Sequence, residues 1–279
     1  MSVWDTPITS SLLDQRARQE PVTFLGQETL IKRIRPFMEH DRFPHILLSG
    51  DPGLGKTQLA RWIASERDDA FFERLAPVKV EDLPMFGILL LDEAHRQKGI
   101  EALFPIMDRN LLTIIAATTK PEQLDAAFRS RFLMDLRMKP YSEEEMCRII
   151  EHMTNGEVAP EHLQTFARAS AGNPRQAKLL VETAQALGTW DPNVVLNTAQ
   201  VTADGLTPDH WAYLDALKRM GRPTGIDQIA EITRMDRDAL RVAERLLHER
   251  ELIVLKSNGR SLTPTGERYV QVLHEEGLI

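Results

Sequence analysis

Eight consecutive residues, Gly50, Asp51, Pro52, Gly53, Leu54, Gly55, Lys56 and Thr57, satisfy the spacing G-x-x-x-x-G-K-[ST] without a mismatch. Glycines let such a loop wrap a phosphate with backbone N–H groups, at the positive end of the helix that follows. Lys56 can then reach the β- and γ-phosphates of ATP, and the Thr57 hydroxyl can ligate Mg2+, with Gln58 continuing the first turn. Further along, the apolar run Ile88, Leu89, Leu90, Leu91 ends in Asp92 and Glu93. A carboxylate at the C-terminal end of a strand lies beside the metal at the mouth of an α/β sheet, which suits Asp92. Glu93, one residue on, is placed to polarise an attacking water. Simple P-loop kinases and GTPases do not need that second carboxylate, whereas ATP hydrolases with an additional strand do. Residues 92–95 also spell the box of a large helicase superfamily (DEAH). Those enzymes carry two such α/β domains in one chain, and this chain is too short for them.

Three more groups fit the same site, each beside a plainer reading. A strand over residues 111–117 runs into Thr118 and Thr119, either of which can sense a γ-phosphate; threonine is also simply a good strand former. Phe128, Arg129, Ser130, Arg131 and Phe132 put two arginines on a short turn. One presented to a neighbouring subunit would act as an arginine finger, while a solvated ion pair is the default for such a pair. Gly172, Asn173, Pro174 and Arg175 open a helix from which Arg175 can reach the γ-phosphate, or pair with a nearby glutamate.

These residues need an α/β frame, and the chain supplies one. Its 279 residues amount to about two domains at ~150 residues each. Residues 45–49, 87–91, 111–117 and 133–138 read as strands, the first three apolar on both faces as buried parallel strands are. From residue 142 onward the pattern is helical: Ser142 with Glu145 forms a capping box, and Met146, Ile149, Ile150 and Met153 make one apolar stripe. The expected division is an ATPase domain over residues 1–140, a helical lid over 141–203 and a last module over 204–279. A single cysteine, Cys147, excludes an intramolecular disulfide and suits a reducing cytosol. No apolar run approaches the ~18–20 residues of a membrane span, and the N-terminal residues lack a signal-peptide pattern, so a cytoplasmic location without membrane contact is expected.

The last module reads as a winged helix. Residues 209–220, 225–233 and 236–249 are helical, a strand follows at 252–256, and Ser257, Asn258 and Gly259 turn the chain back through Arg260. Arg237, Arg241 and Arg245 recur every four residues on one face, with Leu240, Ala243, Leu246 and Leu247 opposite. Together with Lys256 and Arg260 near the wing tip, they form a stripe fit for DNA phosphates, without groups suited to base-specific readout. A solvated helix face laced with Glu244 and Glu249 is the plainer reading. The whole chain carries −7, but residues 234–268 hold eight basic against six acidic side chains. DNA binding is therefore expected to be weak per subunit, salt-dependent and reliant on a ring.

These motifs resemble those of the AAA+ ATPases, and more narrowly the RuvB family of Holliday-junction branch-migration motors. Phe24, Leu25, Gly26 and Gln27 resemble its N-terminal FIGQ, and Gly50 to Thr57 resembles GPPGLGKT with Asp51 in place of a proline. Residues 91–96 (LDEAHR) resemble IDEIHR, and residues 100–108 resemble the helix after it. The resemblance implies an AAA+ core with a parallel sheet, a helical lid and a C-terminal winged helix. It further implies Thr118 or Thr119 as sensor 1, Arg175 with Pro174 as the sensor 2 contact, and Leu25 and Tyr141 at the nucleotide. Arg131 is favoured as the finger, with Arg129 as the alternative, in a hexameric ring whose ATP sites are shared between subunits. Where the family carries a hairpin that grips RuvA, only residues 109–112 lie between helix and strand, too few for the ~8 a hairpin needs. Dependence on RuvA is therefore not expected. A DNA motor in recombination, repair or replication is the first reading. A helicase loader acting on a partner helicase, or an adaptor for another recombination protein, is the alternative.

Overall fold

The computed structural model describes residues 22–109, 112–275 and 277–279. The chain divides between Tyr141 and Ser142 into two compact units.

In the first unit, α1 (Glu28–Ile34) precedes β1 (Ile46–Ser49), and the phosphate-loop residues lead from β1 into α2 (Lys56–Glu66). Then come β2 (Phe71–Leu75), β3 (Gly87–Asp92), α3 (Phe104–Arg109), β4 (Leu112–Thr118), α4 (Ala126–Arg129) and β5 (Met134–Arg137). The five strands form one parallel sheet in the order β2-β3-β4-β1-β5. β4 therefore stands between β1 and β3, the extra strand that a hydrolase of this type requires. Leu47, Leu89, Leu91, Ile114 and Ala116 pack on one face against Ile100, Leu103, Met107 and Phe128. The alternate residues Ile46, Leu48, Leu90 and Ile115 are equally buried, so the central strands are covered on both sides.

β2 is a strand that the hydrophobic pattern does not announce. It lies at the sheet edge, and Glu73 and Arg74 keep that edge charged, as edge strands commonly are. The strands expected at 45–49, 87–91 and 133–138 are present with ends shifted by a residue or so, and β4 continues to Thr118. Leu111, expected to start β4, lies outside the described residues.

In the second unit, α5 (Glu143–Met153), α6 (Pro160–Ala169), α7 (Pro174–Leu187) and α8 (Pro192–Ala199) follow in turn. Ser142 and Glu145 make the reciprocal capping box at the start of α5. Next come α9 (Pro208–Met220), α10 (Ile226–Thr233), α11 (Arg237–Glu249), β6 (Ile253–Lys256), β7 (Gly259–Leu262) and α12 (Pro264–Glu275). These share a core of their own built on Trp211, Tyr213, Leu214, Leu217, Ile229, Leu240, Leu247 and Val270. α10 and α11 are joined by Arg234 in the left-handed region, Met235 and Asp236, whose carboxylate accepts from the N–H groups of Asp238 and Ala239. The antiparallel β6–β7 hairpin pairs Lys256 with Gly259, so the turn itself is Ser257 and Asn258. Gly259 opens the return strand at φ +134°, where a Cβ would stand 2.7 Å from the Thr224 carbonyl oxygen. Thr224 and Arg260 exchange two backbone bonds of 2.9 Å there.

Candidate nucleotide site and DNA-facing module

All five strands of the sheet run the same way, so their C-terminal ends share one edge. The candidate groups follow from that: Gly50 to Thr57 leave β1, Asp92 and Glu93 end β3, Thr118 and Thr119 end β4, and Tyr141 follows β5. Gly50 has φ +147°, and a Cβ on it would meet the Met138 carbonyl oxygen at 2.9 Å, so only glycine brings the loop this close to β5. Its N–H donates to the Thr118 carbonyl at 3.3 Å, tying the loop to β4. Lys56 is buried, and its ammonium donates to the carbonyl oxygens of Gly50 and Asp51, 2.9 Å each. That holds the positive charge within the loop's concavity, where a phosphate on the loop would meet it.

The N-terminal segment and Tyr141 close one side of the loop. The Tyr141 hydroxyl donates to the Leu54 carbonyl at 3.1 Å, and Gln58 donates to the Thr23 carbonyl at 3.2 Å. A Cβ at Gly55 would lie 3.6 Å from that hydroxyl and 3.7 Å from the Phe24 ring. Gln27 bonds the Lys139 carbonyl, which fixes the stretch carrying Leu25 against the strand β5 exit. This arrangement fits a nucleotide: a glycine-lined loop, a buried lysine, a helix N-terminus at Lys56 and apolar walls for a base.

At the β3 end, Asp92 accepts the Glu93 N–H at 2.9 Å. Glu93 adopts φ +51°, a left-handed conformation that is strained for a non-glycine residue and common where a functional group must be aimed. Its carboxylate lies 3.3 Å from Nδ1 of His95, a residue to which the sequence motifs assign no role. The same Nδ1 is 2.9 Å from the Thr118 hydroxyl, which also accepts the Lys120 N–H at 3.0 Å. Burial lowers the His95 pKa below its ordinary value, against the pull of Glu93. Thr118 is fully buried and lies within this network, whereas Thr119 is partly exposed beyond the strand end.

The two candidate fingers differ in their surroundings. Arg129 is exposed and pairs with Asp135 at 2.5 Å. The Arg131 guanidinium stands 3.7 Å from the Phe104 ring centroid, donates to the Ala127 carbonyl at 2.8 Å and approaches Asp108 at 3.2 Å. Arg175 is exposed in the second unit at the start of α7, where Asn173 accepts its backbone N–H at 3.0 Å and Pro174 takes the first helical position.

On α11, Leu240, Ala243 and Leu247 face the core and Arg237, Arg241 and Arg245 are exposed on the other side. Arg237 pairs with Asp227 at 2.6 Å, and Lys256 is exposed at the end of β6. Arg260 does not join that surface. It turns onto α11, with Nε 2.6 Å from Glu244, whose other partner is the Tyr213 hydroxyl at 2.8 Å. Burial works to raise the Glu244 pKa, but the bonds from Arg260 and Tyr213 prevail and hold it below the usual carboxylate range. Burial also pushes the Tyr213 phenol up. Arg260 thus fixes the wing on the helix instead of offering a free cation at its tip.

Comparison with known proteins agrees with this architecture. The RuvB C-terminal winged helix domain matches residues 203–271. The Holliday junction branch migration complex subunit RuvB of Mycoplasma pneumoniae is 28% identical, over 88% of this chain and 95% of its own. Its Helicobacter pylori counterpart is 28% identical over 86% and 87%. A solved structure of the Thermotoga maritima RuvB Holliday junction branch migration motor superposes with a TM-score of 0.76 at 25% identity. That match covers 89% of this chain and 95% of that one. A variant of the same protein gives 0.77 at equal identity and coverage. With the sheet order, the phosphate loop and the winged helix in place, the chain is similar to the RuvB branch migration subunits along most of its length, and its last module to their C-terminal winged helix.

Proposed function

We propose that this chain is an ATP-dependent DNA motor of the RuvB type, working as a ring whose ATP sites are shared between neighbouring subunits. The observation that carries the reading is the convergence of Lys56, Asp92, Glu93 and Thr118 on one edge of a single sheet, in a chain that also bears a winged helix. Lys56 and the loop N–H groups bind the phosphates. Mg2+, held by the Thr57 hydroxyl and Asp92, would neutralise charge between the β- and γ-phosphates. Glu93 orients the attacking water and draws on its proton. Thr118, whose hydroxyl accepts the Lys120 N–H and lies 2.9 Å from His95 Nδ1 beside the phosphate loop, contacts the γ-phosphate. Arg131, pre-oriented by Phe104 and Asp108, completes the next subunit's site, and Arg175 adds a second sensor. Leu25 and Tyr141 flank the base.

DNA meets Arg237, Arg241, Arg245 and Lys256 through its phosphates, with little sequence preference, and the −7 total makes binding depend on several subunits at once. The connection from α3 to β4 supports a mode without RuvA. Only two residues separate Arg109 from Leu112, and His45 bonds both the Met107 carbonyl (3.0 Å) and the Ile114 N–H (2.9 Å) across it. Among the described residues no helix is long and apolar enough to cross a membrane. A motor of this kind acts where its DNA lies, in the cytoplasm. Steady-state ATP turnover measured with single-stranded, duplex and four-way DNA tests this reading. DNA-stimulated hydrolysis with branch movement is expected. Stimulation only by a partner helicase would move the assignment to a loader.

A further inference from the structure

The stretch that leads from α8 into the winged helix is polar in sequence, yet it is not an open tether. The Thr202 N–H donates to the Leu206 carbonyl at 2.9 Å, the Gly205 N–H to the Thr202 carbonyl at 2.9 Å, and the Leu206 N–H to the Thr202 hydroxyl at 3.1 Å. Residues 202–206 are thus clasped on themselves. Val201 is buried just before them, and Leu206 is wholly buried within the winged-helix core. Gly205 sits hard against the turn between α6 and α7. Its φ is +83°, and a Cβ on it would stand 2.7 Å from the Ala171 Cβ and 3.0 Å from the Ala169 carbonyl oxygen. In that turn the Asn173 N–H donates to the Ser170 carbonyl at 2.9 Å, and the Gln176 side chain, from the first turn of α7, donates to the Ala169 carbonyl at 3.4 Å. The same turn delivers Arg175, whose backbone N–H is capped by Asn173. These helices and the winged helix belong to one compact unit.

We infer that Gly205 is a positioning residue: its backbone, seated on the turn that presents Arg175, makes the winged helix follow the N-terminus of α7. The inference rests on the ATPase reading above, in which Arg175 meets the γ-phosphate. A shift of the α7 N-terminus on that contact carries the 169–173 turn with it, because Asn173 and Gln176 tie the two together. Between that turn and Gly205 there is no room even for a methyl group. Leu206 follows Gly205 directly in the chain and is locked in the winged-helix core, so the displacement passes to the module that faces DNA. A flexible linker of the same length would absorb it. Coupling of this kind is reciprocal: nucleotide changes DNA affinity by the same factor by which DNA changes nucleotide affinity.

The test measures, on the whole chain at one subunit concentration, the affinity of a non-hydrolysable ATP analogue with and without duplex DNA, and of duplex DNA with and without the analogue. Wild type is expected to show one factor in both directions, about fivefold or more. Two glycines inserted between Gly205 and Leu206 leave Gly205 on its turn but free the winged helix. The factor should then fall below about twofold, with analogue affinity in the absence of DNA within about threefold of wild type. Gly205→Ala should lose the factor as well, and Gly205→Ala combined with Ala171→Gly, which removes the nearest clashing atom, should regain part of it. A factor above about twofold that survives the insertion, or a smaller one in wild type that hydrolyses ATP, would overturn this inference alone. A loss of analogue affinity of about tenfold on insertion would overturn it too, since the junction would then merely hold the nucleotide-binding helices together. If wild type binds no ATP, the ATPase reading falls with it.

Discussion

The guanidinium carbon of Arg131 stands over Phe104, 3.7 Å from the ring centroid, and so is held in place by a residue of the helix that precedes β4. Arg129, by contrast, is engaged by Asp135 on the solvent side. An arginine that must meet another subunit's phosphate gains from being pre-oriented, because less side-chain freedom is lost on contact.

Arg131→Ala is therefore expected to lower kcat by about 1,000-fold or more, in the range that finger arginines supply, with nucleotide affinity nearly unchanged. Arg129→Ala should change kcat less than threefold. Mixing Lys56→Ala with Arg131→Ala subunits should restore part of the activity, since each supplies the half that the other lacks. No recovery at any mixing ratio would argue against sites built between chains.

Removing Arg241 or Arg245 should weaken DNA binding uniformly across sequences and flatten the dependence of log K on log salt by about one unit for each phosphate that is no longer neutralised. Titrations at several salt concentrations measure this directly.

Arg260 should behave differently. Glu244→Ala leaves the Arg260 guanidinium and the Tyr213 hydroxyl without their shared acceptor, and the winged-helix module should lose about 2 kcal/mol in denaturant unfolding. Arg260→Ala should produce a comparable loss of stability, with the slope of DNA binding against salt unchanged.

How far the sequence reveals these parts depends on the kind of signal each leaves. The central strands β1, β3 and β4 are legible because burial on both faces demands uninterrupted apolar runs. The phosphate loop is legible because its glycines and lysine have to be contiguous. β2 is not, because an edge strand carrying Glu73 and Arg74 has neither an apolar run nor a clean alternation. The contact of His95 escapes notice for a different reason: its spelling gives its neighbours in the chain, whereas its partner Thr118 lies 23 residues on at the end of the adjacent strand. Arg260 and Arg241 look alike as letters. Only the packing of β7 on α11, which brings Glu244 to Arg260 across 16 residues, separates the half-buried, paired arginine from the exposed one.

Acid should destabilise the protein partly through His210. Its Nδ1 accepts from the Thr207 N–H at 3.0 Å, capping α9, and burial lowers its pKa to about 4 from 6.5. A histidine harder to protonate folded than unfolded contributes stability above pH 6.5 that is lost as pH falls toward 4, here up to about 3 kcal/mol. Unfolding of wild type and His210→Gln at pH 7 and pH 4.5 checks this. Glutamine at that position still caps the helix, so the variant should lose less stability between the two pH values.

If Glu93 drives hydrolysis of ATP held by the phosphate loop, turnover of Glu93→Gln on four-way DNA, with nucleotide binding measured in parallel, reads it out. ATP affinity is expected within about threefold of wild type and hydrolysis reduced by about 100-fold or more, in line with loss of a general base. Turnover close to the wild-type rate would contradict it.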